Sequence, residues 1–190
     1  MSKRGKIIVL ASPSGGGKST MTKKLLKDFD NIKFSVSATT RPKRKGEIDG
    51  IHYYFLTKEQ FDKKIQNDEF LEWEEFYHGT RYGTLRSDVE NELNKGYFIL
   101  LDIDVLGAEN IKKIYGDEAL VVFITPPDLN VLKQRLENRG TESEETLQTR
   151  LERAEKEMAY ASQFDTVIVN DDLKTAYRQL KETVLTFINS

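Results

Sequence analysis

The stretch "ASPSGGGKST", residues 11–20, decides the fold. Gly17, Lys18 and Ser19 close a phosphate-binding loop of the form G-x-x-x-x-G-K-[ST], with Ser12 standing where the first glycine is usual. Ahead of it, Lys6 to Ala11 is a short β-branched apolar run. Behind it, Met21, Leu25, Leu26 and Phe29 recur at helical spacing, so the order is strand, glycine loop, helix. The chemistry of such a loop requires backbone N–H groups turned inward around phosphate oxygens, and Gly15, Gly16 and Gly17 supply that freedom. Lys18 then reaches the terminal phosphates, and Ser19 offers its hydroxyl to magnesium. Serine is small enough for position 12, where the strand gives way to the loop. The competing reading, a helix cap after a glycine turn, is disfavoured by the strand and helix on either side.

Outward from the loop, buried-strand signals recur at Tyr97 to Leu101, Leu120 to Thr125 and Thr166 to Val169, with helical patterns between and after them. That alternation predicts an α/β fold whose parallel sheet is covered by helices on both faces. Two regions interrupt it. Residues 33–84 hold "KFSVSA", "HYYFL", "EFLEWEEF" and "TRYGT" around a short helix near Glu59 to Asn67, and read as a small mixed, mostly antiparallel insert. Residues 127–164 read as a lid of two polar helices, with Gly140 ending the first and Ser143 capping the second. The remainder, 1–32, 85–126 and 165–190, forms the core of a single domain.

With 29 Lys+Arg against 31 Asp+Glu in 190 residues, the net charge of −2 gives no overall case for binding nucleic acid or an anionic membrane. There are no cysteines, which excludes a disulfide framework. The apolar run Ile7 to Ala11 is too short for a secretory signal, and no segment approaches the ~20 apolar residues of a membrane span. The expectation is a soluble, cytoplasmic protein.

The loop needs an acidic companion at the end of another parallel strand, and Asp102, with Asp104 close behind in "LDID", meets that need. Asp102 is the candidate magnesium ligand alongside Ser19, the sequence leaving open which of Asp102 and Asp104 faces the metal and which the base, and Asp104 is also suited to cap a helix. Within the insert, Arg41 and Arg44 of "RPKRKGE" suit a clamp on a monophosphate, with Tyr53 and Tyr82 adding hydroxyl donors. Glu72 stands in the otherwise apolar "EFLEW"; a buried carboxylate accepts the adjacent N1–H and N2–H donors of guanine, whereas adenine presents an acceptor at N1. Ser37 and Thr84 are candidates to complete the base contacts. No N-K-x-D base-reading motif of GTPases is present.

Taken in order, "SPSGGGKST", "FSVSATTRPKRKGE", "HYYF", "EFLEW", "RYGT", "LDIDVLGAENI", "VFITPP", "RLENRGTE" and "VIVNDDL" resemble the guanylate kinases over nearly the whole chain. The resemblance implies a P-loop core, a GMP-binding insert and a lid, with magnesium-dependent phosphoryl transfer from ATP to GMP. Ser12, Pro13, Ser14, Gly15, Gly16, Gly17, Lys18, Ser19, Thr20 and Asn170 fall to ATP, Asn170 lying near the adenine. Ser37, Glu72, Thr84 and Asp102 or Asp104 fall to guanine, and Arg41, Arg44, Tyr53 and Tyr82 to the GMP phosphate. Arg135, Arg139 and Arg150 match lid arginines which, with Lys18 and Arg41, neutralise the transferring phosphoryl group. A small residue at position 12 also occurs in the family. Two departures are Pro42, displaced from its usual place, and "FYHGTRYGT", one residue long, with Arg81 for a usual tyrosine. The implied partners are ATP and GMP, with monomer and homodimer both open. The alternatives are an inactive binding module of the same fold and a P-loop kinase of another phosphorylated acceptor.

Overall fold

In the computed structural model, which describes residues 3–13, 15–76, 79–138 and 144–190, the elements run as follows: β1 (Ile7–Ala11), α1 (Lys18–Asp28), β2 (Ile32–Phe34), β3 (Ala38–Thr39), β4 (Tyr54–Phe55), α2 (Lys58–Gln66), β5 (Phe70–Glu75), β6 (Arg81–Leu85), α3 (Arg86–Asn94), β7 (Phe98–Asp102), α4 (Val105–Tyr115), β8 (Ala119–Thr125), α5 (Leu129–Glu137), α6 (Glu144–Ala159), β9 (Thr166–Val169) and α7 (Leu173–Asn189). The core sheet is parallel throughout, in the order β2-β7-β1-β8-β9. β1 is wholly buried, and alternate residues face opposite layers. Ile7 and Val9 join Ile99, Leu101, Val121 and Phe123 beneath α3 and α4. Ile8 and Leu10 join Leu100, Val122 and Ile124 beneath α1 and α7, through Met21, Leu25, Leu180 and Val184.

β2 pairs with β7, so the edge of the core sheet extends through Phe34, two residues into the stretch expected to open the insert. The insert sheet proper runs β4-β3-β6-β5, parallel between β3 and β4 and antiparallel elsewhere, the mixed arrangement anticipated from its strand signals. α2 closes one face of it. A capping box starts that helix, with Thr57 and Gln60 satisfying one another's backbone N–H groups. Phe61 then descends into the insert's core, stacked on Phe70 at 4.4 Å between ring centroids.

The lid helices pack on each other through Leu132, Leu136 and Ala154, while Met158 reaches the main core. α5 stops at Glu137; Gly140 and Ser143, the expected helix end and cap, lie outside the described residues. Among the described residues no helix is long and apolar enough to cross a membrane.

Because Phe61 is fully buried and joins α2 to the insert sheet, Phe61→Ala is expected to cost about 3–5 kcal/mol in denaturant unfolding. A loss below about 1 kcal/mol would contradict this packing.

Candidate active site

The loop between β1 and α1 is shaped by its glycines. Gly15 and Gly17 have φ of 93° and 101°, in the left-handed region that favours glycine. Helices α2, α4, α5 and α7 each begin on a capping side chain, those of Thr57, Asp104, Asp128 and Asp172. α1 begins on Gly17 with no side-chain cap, so its first N–H groups are available to an anion. A Cβ at Gly16 would stand 3.0 Å from that of Ser12, so the bare backbone at 16 is what makes room for serine at 12. The Ser12 hydroxyl is buried and donates to the Pro13 carbonyl at 3.1 Å. Ser19 and Thr20 are exposed on the first turn of α1, and Ser14 lies outside the described residues.

Lys18 Nζ lies 2.9 Å from Asp102 Oδ1 and donates to the Ile103 carbonyl at 2.8 Å. Asp102 therefore stands beside the lysine of the glycine loop. Asp104 caps α4, accepting from the Gly107 N–H at 2.8 Å, and its charge also bears on Glu72. Asn170 is buried, and its side-chain amide donates to the Gly16 carbonyl at 2.8 Å, while its backbone N–H donates to the Thr125 carbonyl at 2.7 Å. It thus braces the loop from below. Arg135 donates to the Asn170 carbonyl at 2.8 Å and belongs to this same side; Arg139 lies outside the described residues.

A cavity of about 800 Å³ opens beside Lys18 and runs into the insert. Ser12, Ser37, Arg41, Arg44, Tyr53, Glu72, Tyr82, Asp102, Asp104 and Arg150 all line it. Thr84 lies just behind the wall, 1% exposed, and donates its hydroxyl to Glu72 Oε1 at 2.5 Å. Burial raises the Glu72 carboxyl to about 7, an effect opposed by the Thr84 hydrogen bond and reinforced by the Asp104 charge. At the other end, Arg41 makes a two-pronged pair with Glu47, at 2.7 and 2.5 Å, and lies 4.8 Å above the Tyr53 ring. The fork leaves Arg41 raised well above the usual guanidinium range and holds Glu47 at about 2. Tyr82 meets Tyr53 edge-on at 5.8 Å.

The cavity lining also holds residues that were not among the sequence candidates, Glu74, Phe76, Arg153 and Glu157 with Pro42, Lys43, Thr80, Gly83 and Ile103. Glu74 was legible as the strand neighbour two residues from Glu72, on the same face of β5. Glu157 was legible only as a helical partner four residues from Arg153. Arg81, the departure noted beside Tyr82, pairs instead with Glu75 at 2.8 Å and with Asp62, on the outer side of the insert. Tyr77 and His78, four and three positions before it, lie outside the described residues.

The donors available to magnesium are hard oxygens, the Ser19 hydroxyl and the Asp102 carboxylate. No cluster of three or more His, Cys, Asp or Glu suited to a metal exists among the described residues. Two protein oxygens fit an ion that keeps waters and takes substrate phosphate oxygens as its remaining ligands.

The family model described as guanylate kinase matches residues 4–186. The chain is 46% identical over 186 residues to the guanylate kinase of Chlorobium luteolum, covering 98% of this chain and 94% of that protein. It is 48% identical over 185 residues to that of Bacteroides thetaiotaomicron, covering 97% and 91%. Among solved structures, the crystal structure of guanylate kinase from Anaplasma phagocytophilum superposes with a TM-score of 0.80 at 33% identity, over 100% of this chain and 89% of that one. A shikimate kinase from Bacteroides thetaiotaomicron shares the fold at a TM-score of 0.51 and 15% identity.

Glu72 makes stability depend on pH. Its folded pKa lies above the ordinary 4.5, so protonated Glu72 favours the fold, and that contribution is lost as pH rises through about 7. Between about pH 4.5 and about pH 8, Glu72→Gln should therefore gain stability relative to the wild type, by on the order of 2–3 kcal/mol. A difference independent of pH in thermal unfolding of the protein without nucleotide would contradict the burial of this carboxyl.

Proposed function

The chain belongs to the guanylate kinase family, and from that premise we propose that it transfers the γ-phosphoryl group of ATP to GMP, and to dGMP, giving ADP and GDP in purine nucleotide metabolism. The observation that carries this reading is one cavity joining the phosphate-loop lysine, paired with Asp102, to a buried glutamate that reads guanine. In this reading residues 33–84 hold the acceptor, residues 127–164 form the lid, and the reaction takes place in the cytoplasm without nucleic acid or membrane.

Phosphoryl transfer asks the protein for in-line positioning and neutralisation of charge rather than covalent chemistry. The N–H groups of Gly15, Gly17, Lys18 and Ser19 hold the ATP phosphates, with the Lys18 side chain on the terminal ones, while the Gly16 N–H donates to the Pro13 carbonyl at 2.9 Å. Ser19 and Asp102 would hold magnesium, which would supply neutralisation of charge on the phosphate oxygens. Asn170 keeps the loop in shape from below and lies near the adenine of ATP, and Arg135 is anchored on its carbonyl. Arg41 and Arg44, with the Tyr53 and Tyr82 hydroxyls, take the GMP phosphate. Glu72, ionised and oriented by Thr84, accepts from N1–H and N2–H of guanine, with Asp104 beside it and Ser37 at the cavity wall. Arg135, Arg139 and Arg150 meet the transferring group from the lid, and closure excludes water.

Two other readings are weaker. An inactive binding module has no need of Lys18, Ser19 and Arg150 in their places. A kinase of a sugar phosphate supplies no base for Glu72 to read.

ADP production from MgATP, measured in parallel with GMP, dGMP, AMP, CMP, UMP and no acceptor, tests the proposal. Turnover confined to GMP and dGMP is the expected result. Turnover of AMP at a similar rate would remove the base-reading role of Glu72. Silence with every acceptor, from folded protein that still binds GMP, would make the chain a binding module.

A further inference from the structure

Arg153, on the lid helix α6, brings together carboxylates from three parts of the molecule. Its Nε donates to Glu157 Oε1 of the same helix at 2.7 Å. Its terminal nitrogen stands 3.4 Å from Asp104 Oδ2 of the core and 3.8 Å from Glu74 Oε1 of the insert. The guanidinium plane lies over the ring of Phe76, also of the insert, at 4.6 Å.

Asp104 is then held at both oxygens, Oδ1 by the Gly107 N–H and Oδ2 by Arg153. Its neighbour is the base-reading group. A Cβ at Gly107 would lie 3.1 Å from Asp104 Oδ1 and 2.8 Å from Glu72 Oε2, so the two carboxylates converge on the bare backbone of α4. Without the guanidinium, Glu74, Asp104 and Glu157 would face one another across the cavity wall with no shared counter-charge from Arg153. Like charges in that partly buried setting would push lid, core and insert apart.

We propose that Arg153 is a positioning residue for the acceptor base: it ties the lid helix to Asp104 and Glu74 on the two cavity walls, so that lid seating and acceptor binding are coupled. The inference rests on the reading of GMP as acceptor. It gives this chain a link between lid and base that does not pass through the phosphates. On the ATP side, Asn170 and Arg135 hold the loop through other partners, the Gly16 and Asn170 carbonyls.

Steady-state kinetics of the wild type, Arg153→Met, Arg153→Lys and Glu74→Gln test it, with thermal unfolding as a check on each variant. Arg153→Met should raise KM for GMP roughly tenfold while leaving KM for ATP within about twofold, the size of an ordinary coupling between sites. Arg153→Lys keeps the charge but loses the planar fork, and should recover part of the loss. Glu74→Gln approaches the same tie from the insert and should shift KM for GMP in the same direction, deciding the matter if Arg153→Met fails to fold. Combined with Arg153→Met it should add less than its separate effect. Equal rises in both KM values, a fall in kcat alone, or an unmoved KM for GMP in an active enzyme would overturn the inference. A wild type that does not phosphorylate GMP would instead sink the functional reading beneath it.

Discussion

The structure depends on the parallel pairing of β1 between β7 and β8. Because all three strands run the same way and share register, Leu10 stands beside Asp102 and Ala11 beside Phe123. The phosphate loop, its acidic companion and the chain leaving β8 therefore emerge at one edge of the sheet. β9 adds Val169 beside Thr125, and the next residue, Asn170, reaches under the loop. Ligand sites form at this carboxyl edge, where the connections from β1 and β7 part to opposite faces of the sheet. The apolar run Ile7 to Ala11 thus positions the candidate site groups, although its own side chains serve only the core.

Around that edge the chain departs from the rules it follows elsewhere. Four helices begin on capping side chains; α1 and α3 do not, and α1, unlike α3 on Leu85, opens on a glycine in the left-handed region. Carboxylates are ordinarily solvated, yet Glu72 is buried at 8% exposure beside a second carboxylate. Each departure destabilises the protein by itself and creates something a ligand can use: uncapped N–H groups for phosphate, and a desolvated acceptor for two N–H donors. The compensation is local. Thr84 satisfies one oxygen of Glu72, and Asn170 fixes the loop through its backbone rather than through the groups a phosphate would need.

Much of this was legible in the sequence because it is written in local patterns. The glycine loop, the apolar strands and the periodicity of α1 involve residues a few positions apart, and they delivered the parallel core. The insert was legible as strands but not at its edge, since whether Phe34 belongs to the core or the insert depends on Leu100, far along the chain. The cavity-lining residues Arg41, Tyr53, Glu72 and Tyr82 were legible through the chemistry they suit and through resemblance. Three features were hidden by distance. Asn170 serves the Gly16 carbonyl across 154 positions, Arg153 meets Asp104 across 49, and the choice between Asp102 and Asp104 turns on where Lys18 points.

The central claim is that a buried carboxylate, protonated for part of its time near neutral pH, must ionise to read guanine. Calorimetric titration of GMP near pH 7 in buffers of different ionisation enthalpy counts the protons that accompany binding. The phosphate of GMP also titrates near pH 6, so the deciding quantity is the difference between the wild type and Glu72→Gln. Release of a fraction of a proton by the wild type beyond that of the variant is the predicted result. Equal proton exchange in the two proteins, with GMP bound equally well by both, would mean that Glu72 does not read the base.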